Sequence, residues 1–215
     1  MRVVIAGGHG QIALRLERLL SQAGHQPVGL IRDPDQVADL AKAGAESVVL
    51  DLEQASVDEL AAVVKGADAV VFAAGGGPDG GAERKETVDR GAAALLADAA
   101  ERTGVRRYLM ISSMGTDQAD PDSDDIFQVY LRAKAAADAD LRSRDLDWTI
   151  VKPGRLTDGD GTGLVTTDPQ SQPRETPRED VAATLVAALE DGLAVRKDFA
   201  LLTGETPIRD ALAAL

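Results

Sequence analysis

Short runs of apolar residues alternate along this chain with longer segments in which apolar residues recur at helical spacing. The short runs are almost continuously apolar, which is typical of parallel strands covered on both faces. The segments predicted to be strands are residues 3–6, 27–31, 47–50, 69–73, 108–111 and 148–151, with a weaker one at 199–202. Strands and helices that alternate in this way predict right-handed crossovers and a doubly wound, mainly parallel α/β sheet.

Several helix boundaries are marked in the sequence. The first helical segment carries a stripe of leucines, and Gly24 is its expected stop. Residues 56–59, Ser-Val-Asp-Glu, have the pattern of a capping box and predict a helix start. Residues 176–179, Thr-Pro-Arg-Glu, repeat that pattern before a predicted helix 177–191, with Pro177 at its first position.

The length of 215 residues predicts one domain, 1–215, with a small substrate-side extension formed by residues 152–177 and 203–215. Polar loops are predicted at 75–81, 116–125 and 157–177. Because little of the chain remains after residue 151 for a substrate lobe, we expect an open, small substrate site. The loop 157–177, rich in Gly and Thr, is then the candidate lid over the substrate site. Alternatively, it only connects the elements on either side of it.

Composition and charge exclude several classes of function. The formal net charge of −13, without a local cluster of basic residues, disfavours nucleic-acid and anionic-membrane partners. The chain has no cysteine, and His9 and His25 lie far from any ligand-like cluster, so no metal site is expected. The first strand begins at residue 2 and no apolar run approaches about 20 residues, so we expect a cytoplasmic protein. A monomer or small homo-oligomer acting on a small molecule fits these features.

The chain opens on a glycine-rich turn between a predicted strand and a predicted helix. Its spacing is Gly7-x-x-Gly10-x-x-Ala13. Gly7 permits a tight turn, Gly10 permits close approach of the backbone to a pyrophosphate, and Ala13 permits close packing of the helix on the strand. The alternative interpretation is an ordinary strand-to-helix turn, because glycine is common in turns. The position of the glycines between a buried strand and an amphipathic helix favours dinucleotide binding.

This spacing resembles that of the extended and atypical short-chain dehydrogenase/reductases, and further segments extend the resemblance over most of the chain. They are Ile31-Arg-Asp-Pro34, Asp51-Leu52, Ala73-Ala-Gly75, Ile111-Ser-Ser-Met114, Tyr130-Leu-Arg-Ala-Lys134 and Trp148-Thr-Ile-Val-Lys-Pro-Gly154. Together they look like the atypical subgroup of NAD(P)-binding epimerase-like and oxidoreductase-like proteins related to the NmrA-like proteins. The resemblance implies a Rossmann-type fold and an NADP(H) or NAD(H) cofactor.

The resemblance also implies which residues contact the cofactor. They are Gly7, His9, Gly10, Gln11, Ile12, Arg32, Asp51, Leu52, Ala73, Ala74, Gly75, Lys134 and Pro153. Asp51 is expected to accept a hydrogen bond from the adenine amine, and its alternative role is a solvated strand end. The chain departs from the family pattern at Lys152, where Arg is commoner. Asp89 stands where extended members carry Asn, and this carboxylate matches the atypical subgroup.

We predict NADP(H) rather than NAD(H) from the residues after the second strand. Arg32 follows that strand directly and would bind a ribose 2′-phosphate through charge-assisted hydrogen bonds, with His9 as an additional donor. Asp33 in the same role would accept from the 2′-hydroxyl of NAD and repel the phosphate. The alternative is that Arg32 pairs with Asp33 or Asp35 at the surface.

Tyr130 is the predicted proton donor, assisted by Lys134 four residues later on the same helix face. A nearby ammonium lowers the pKa of a phenol, whose usual value is about 10. Ser113, at the end of the fifth strand, is expected to orient the substrate. Alternatively, Tyr130 belongs to the core.

Three functions remain open from the sequence. The first is an NADP(H)-dependent oxidoreductase or epimerase acting on a small carbonyl, hydroxyl or sugar-like compound. The second is a non-catalytic NADP(H)-binding sensor, and the third is a flavin or tetrapyrrole reductase that needs no tyrosine acid.

Overall fold

The computed structural model describes residues 1–77 and 81–215, so that residues 78–80 of the predicted loop 75–81 lie outside the described residues. The strands are β1 Arg2–Ala6, β2 Gln26–Ile31, β3 Glu46–Val49, β4 Ala69–Phe72, β5 Arg107–Ile111, β6 Asp147–Pro153, β7 Arg155–Thr157, β8 Leu164–Thr166, β9 Glu175–Pro177, β10 Lys197–Thr203 and β11 Thr206–Pro207. The α-helices are α1 Gln11–Gln22, α2 Val37–Lys42, α3 Val57–Val64, α4 Ala82–Arg84, α5 Ala93–Thr103, α6 Ile126–Ser143, α7 Arg178–Glu190 and α8 Ile208–Ala213. A π-helix, Lys85–Ala92, joins α4 to α5, and 3-10 helices cover Pro34–Gln36 and Thr116–Gln118.

The main sheet has the strand order β11-β8-β10-β6-β5-β4-β1-β2-β3. Every pairing from β3 to β10 is parallel, whereas β8 runs antiparallel to both β10 and β11. The chain winds outward from β1 through β2 to β3 and then returns to β4 on the other side of β1. The predicted doubly wound sheet is thereby confirmed, and its winding reverses between β1 and β4, where such sheets bind ligands.

Every segment predicted to be a strand forms one, although the boundaries differ by one or two residues. The capping box at 56–59 is also confirmed, because the Ser56 side chain accepts from the Glu59 backbone and Glu59 bonds back to the Ser56 backbone. The box predicted at 176–179 was wrong. Thr176 lies in β9 and its hydroxyl donates to the Leu201 carbonyl, which leaves Pro177 as the residue preceding α7.

The predicted loop 157–177 contains more regular structure than its composition indicates. It includes β8, which joins the main sheet, and ends in β9, which pairs in parallel with β7. The buried carboxylate of Asp180 accepts from the backbone N–H groups of Thr162 and Gly163 at 3.1 and 2.9 Å. These bonds fix much of the candidate lid to the start of α7.

The core lies in two layers, one on each face of the sheet. Helices α1, α7 and α8 cover one face, and α3, α5 and α6 cover the other. Both layers consist mainly of Ala, Val, Leu and Ile, as the aromatic content of 3% requires. No helix in the described ranges is long and apolar enough to cross a bilayer.

Glu17 is an unusual member of the interface between α1 and β2. The residue is completely buried, and neither carboxyl oxygen has a hydrogen-bond partner among the described residues. A Cβ atom placed on Gly29 would lie only 2.4 Å from Glu17 Oε1, so glycine at that position leaves the space for this carboxyl group. Burial raises the pKa of Glu17 to about 8. The carboxyl group is therefore protonated at neutral pH.

Glu17 is expected to make the folded protein less stable as the pH rises from about 4.5 to about 8. In this window the unfolded chain releases the Glu17 proton and the folded chain retains it, which costs on the order of 1 kcal/mol per pH unit. Urea unfolding of Glu17→Gln, compared with the wild type, should therefore show a stability advantage that increases between pH 5 and pH 8. The exposed Glu205→Gln is the control for the charge change. A pH-independent difference between the two variants would contradict the prediction.

Candidate functional site

Two adjacent cavities lie at the carboxyl edge of the sheet, where its winding reverses. The first has a volume of about 300 Å³ and is lined by the glycine turn, the ends of β2 and β3, and Arg84. The second has a volume of about 460 Å³ and is lined largely by α6 and the π-helix. Both include residues 73–77, which follow β4, so this segment is their common wall.

The glycine turn has the geometry that its sequence predicts. Gly7 has φ +81°, and a Cβ atom there would lie 2.7 Å from the Ala74 Cα, so only glycine fits between β1 and the common wall. Gly10 precedes the first residue of α1, and its Cβ would lie 3.1 Å from the Gly7 carbonyl oxygen. Ala13 is fully buried against the sheet. The N-terminus of α1 thus opens onto the cavities, as required for an anion such as a pyrophosphate.

Two arginines and one glutamate lie together in the first cavity. Glu53 Oε2 lies 3.0 Å from Arg84 Nη2 and 3.7 Å from Arg32 Nη1. The Thr87 hydroxyl donates to the other Glu53 oxygen at 2.6 Å, and this bond and the two arginines hold the pKa of Glu53 below its usual value. Arg32 thus pairs with Glu53 rather than with Asp33 or Asp35.

Other residues predicted to contact the cofactor in the first cavity already form hydrogen bonds within the protein. The Asp33 side chain accepts from the Asp35 backbone and caps the following 3-10 helix. His9 Nε2 lies 3.0 Å from Asp39 Oδ2, so one ring nitrogen already has a partner. Asp51 lines the cavity and accepts from the Glu53 backbone at 3.0 Å.

A buried ion pair lies beneath the common wall. Lys134 Nζ, on α6, is 3.2 Å from Asp89 Oδ1, on the π-helix, and both side chains are at most 4% exposed. Lys134 also donates to the Ile111 carbonyl at 3.2 Å and to the Ala74 carbonyl at 3.4 Å. The second Asp89 oxygen accepts from the Gly76 N–H at 3.0 Å. The pair therefore joins two helices to the ends of β4 and β5.

Tyr130 lies half-buried in the second cavity between two other side chains. Its ring stacks with Phe127 at a centroid distance of 6.0 Å, and Lys85 Nζ lies 5.4 Å from its centroid. The predicted partner Lys134 lines the same cavity, but its ammonium is directed at Asp89 and the two carbonyls.

The two serines after β5 have different surroundings. Ser112 is buried and lines the second cavity, whereas the Ser113 hydroxyl donates to the Met114 carbonyl and Ser113 is not part of the described lining. Behind them, Lys152 Nζ lies between three carboxylates, the nearest at 3.2 Å being that of Asp198. Burial raises the pKa of another of these, Asp138.

The structure thus brings most of the predicted residues together around one cleft. The first cavity includes Gly7, His9, Gly10, Arg32, Asp51, Leu52, Ala73, Ala74 and Gly75. The second includes Ile12, Tyr130 and Lys134, together with the common wall. Gln11 is exposed and Pro153 is buried in β6, and neither is part of the described linings. Among the described residues, no group of His, Asp and Glu side chains is arranged to hold a metal ion.

Other lining residues carry no motif in the sequence. They include Glu53, Arg84, Lys85, Phe127 and Leu156. Ser112 belongs to a quoted family segment, but the prediction chose its neighbour Ser113. The arginine and the lysine at 84–85 follow a glycine-rich loop and reach the cleft only because α4 and the π-helix fold back over the sheet. Before the fold is known, only a pattern shared by related sequences could identify Arg84 and Lys85 as lining residues.

Comparison with known proteins agrees with this geometry. Residues 7–192 match a family model described as NAD(P)H-binding. The chain is 35% identical over its full length, and over the full length of the relative, to the uncharacterized sugar epimerase YhfK of Bacillus subtilis. Among solved structures, a candidate NAD-dependent epimerase/dehydratase from Bacillus halodurans is 35% identical, with full coverage of both chains and a TM-score of 0.90. The oxidoreductase ylbE of Lactococcus lactis is 26% identical, with 100% and 96% of the chains covered and a TM-score of 0.87.

The matched family covers most of the chain, and the relatives align along its whole length. The Rossmann-like sheet, the glycine turn and the cleft at the switch point are the structural features expected of such a match. The chain therefore belongs to the NAD(P)H-binding family, within the atypical short-chain dehydrogenase/reductase superfamily.

Proposed function

We propose that this protein is an NADP(H)-dependent oxidoreductase acting on a small carbonyl, hydroxyl or sugar-like compound. The observation that carries the proposal is the common wall, residues 73–77, which lines both cavities. A dinucleotide with its adenosine in the first cavity and its pyrophosphate at α1 would bring its nicotinamide to the second. The bound cofactor supplies or accepts a hydride there, beside a phenol that is able to transfer a proton.

The preference for NADP(H) is supported by the charges of the first cavity. The Arg32 side chain is 57% exposed, and its one ion pair with the described residues is the 3.7 Å contact with Glu53, so its guanidinium is able to turn toward a 2′-phosphate. Arg84 lies on the other side of Glu53 and is a second candidate for the same phosphate. Asp33, the residue that would favour NAD(H), uses its carboxylate in capping the next turn.

Tyr130 is the proposed acid because it is the phenol in the second cavity, with two ammonium groups lining the same space. Lys134 would hydrogen-bond the nicotinamide ribose from its position beneath the common wall. Ser112 and Ser113 are both candidates for orienting the substrate, and burial in the cavity lining favours Ser112.

A reductase that needs no protein acid is the second candidate. The observation in its favour is that Lys134 forms its contacts with Asp89, Ala74 and Ile111, and has no hydrogen bond to Tyr130. A flavin or a tetrapyrrole accepts a hydride without a proton from the protein. The sugar epimerase named among the relatives indicates a third chemistry of the same cofactor.

The proposed function predicts substrate-dependent oxidation of NADPH. Purified protein is mixed with NADPH and a panel of aldehydes, quinones, flavins and nucleotide sugars, and the absorbance of the reduced nicotinamide is followed. We expect at least one class to be reduced. Tight NADPH binding without turnover across the panel would support a non-catalytic sensor instead.

Replacement of Arg32 by alanine should weaken NADPH binding at least about tenfold and leave NADH binding nearly unchanged, because a charge-assisted bond to phosphate contributes roughly 1.5–3 kcal/mol. Isothermal titration calorimetry with both nucleotides measures the difference. Arg102→Ala, which removes an exposed arginine at the end of α5, is the control for net charge. Equal losses for both nucleotides, or tighter binding of NADH by the wild type, would contradict NADP(H) selectivity.

Replacement of Tyr130 by phenylalanine distinguishes the two reductase mechanisms. If Tyr130 donates the proton, turnover falls by ~10²–10⁴-fold while NADPH affinity and the unfolding temperature are unchanged. The measurement is kcat with the substrate that the panel identifies. Undiminished turnover in a folded variant would favour the acid-independent reductase.

A further inference from the structure

Lys85 is a buried cation to which the proposed function assigns no contact with cofactor or substrate. It lies at the start of the π-helix, is 6% exposed, and lines the second cavity. Its ammonium donates to the Gly77 carbonyl at 2.6 Å and lies 5.4 Å from the centroid of the Tyr130 ring. These contacts place a positive charge at the wall of the cavity.

The charge on Lys85 is less compensated than that on Lys134. Lys134 has the Asp89 carboxylate at 3.2 Å, whereas no carboxylate of the described residues lies within 4.0 Å of the Lys85 ammonium. Among the described residues of the lining there are two ammonium groups and one carboxylate, a net positive count in a chain of formal net charge −13. Within the described part of the chain, Lys85 has a carbonyl and an aromatic face as its partners, and a buried cation so placed is well suited to a ligand anion.

The mouth of the cavity has a different character. Ile126 and Phe127 are 45% and 55% exposed, and both line the space with Leu156. Phe127 stacks with Tyr130 with the ring planes inclined by 29°, and the more exposed Phe127 ring is an aromatic wall at the entrance. Exposed apolar side chains at the entrance of a cavity favour a ligand with a flat, apolar body.

We propose that Lys85 forms an anion subsite of the second cavity, which therefore takes an organic anion: an oxyanionic group bound by Lys85, on a flat apolar body that packs on Phe127 and Tyr130. That this ligand is the substrate rests on the proposed function. The subsite itself is defined by the cavity and its charges.

A matched pair of fluorescent probes tests the subsite without turnover. 8-Anilinonaphthalene-1-sulfonate and N-phenyl-1-naphthylamine share one aromatic body, and only the first carries an anion. Each is titrated into NADP⁺-saturated protein. Lys85→Gln is the test variant, because glutamine keeps a donor for the Gly77 carbonyl and removes the charge. Lys85→Arg restores the charge, and Lys65→Met removes an exposed lysine elsewhere.

We expect Lys85→Gln to weaken sulfonate binding at least about tenfold, with little change for the neutral probe. Lys85→Arg should recover most of the loss, Lys65→Met should show none, and Phe127→Ala should weaken both probes because it removes the shared aromatic wall. Unfolding temperatures and NADPH affinity establish that each variant is folded.

Equal affinity of Lys85→Gln and wild type for the sulfonate, or equal losses for both probes, would overturn the proposal and leave Lys85 as a support for the glycine loop. These outcomes are independent of the proposed function, because no turnover is measured. Conversely, the wild-type protein could fail to oxidise NADPH with every compound of the panel while Lys85→Gln still lost affinity for the sulfonate alone. That result would support the anion subsite and contradict the proposed oxidoreductase.

Discussion

The buried pair of Asp89 and Lys134 is the interaction on which the cleft depends. Its 3.2 Å contact connects the π-helix to α6, and its remaining hydrogen bonds hold the backbone at Gly76, Ala74 and Ile111. Removing one member would leave an uncompensated charge in the interior, which is strongly destabilising. The pair therefore fixes the wall that both cavities share.

The glycine turn meets that wall from the other side. Gly7 packs against Ala74 so closely that a methyl group would clash with the backbone. The segment after β4 is thus held between a turn without side chains and a buried ion pair. This arrangement brings the N-terminus of α1, the first cavity and the Tyr130 phenol together along one edge of the sheet.

Charge is distributed unevenly over the molecule. The chain carries 36 acidic and 23 basic side chains, yet Arg32, Arg84, Lys85 and Lys134 all line the cleft. Glu53 and Asp89 hold three of these cations in place. The described lining thus sets four cationic side chains beside the carboxylates of Asp51, Glu53 and Asp89, whereas acidic side chains predominate in the chain as a whole.

The sequence by itself determined the doubly wound parallel sheet and the glycine turn, because these follow from continuous apolar runs, from the alternation of strands and helices, and from the backbone conformations open to glycine. The order of the strands in that sheet came only from the structure. The sequence also determined that Arg32 and Tyr130 reach the cleft, since each belongs to a family pattern. Only the tertiary structure decided that Glu53 pairs with Arg32, that Ser112 rather than Ser113 lines the cavity, and that Lys85 carries the charge near Tyr130. Those contacts join residues on elements far apart in sequence, and their partners depend on how α4, the π-helix and α6 pack across the edge of the sheet. The local pattern of apolar and polar residues does not specify how these helices pack on one another. The contacts between them are therefore known only from the folded chain.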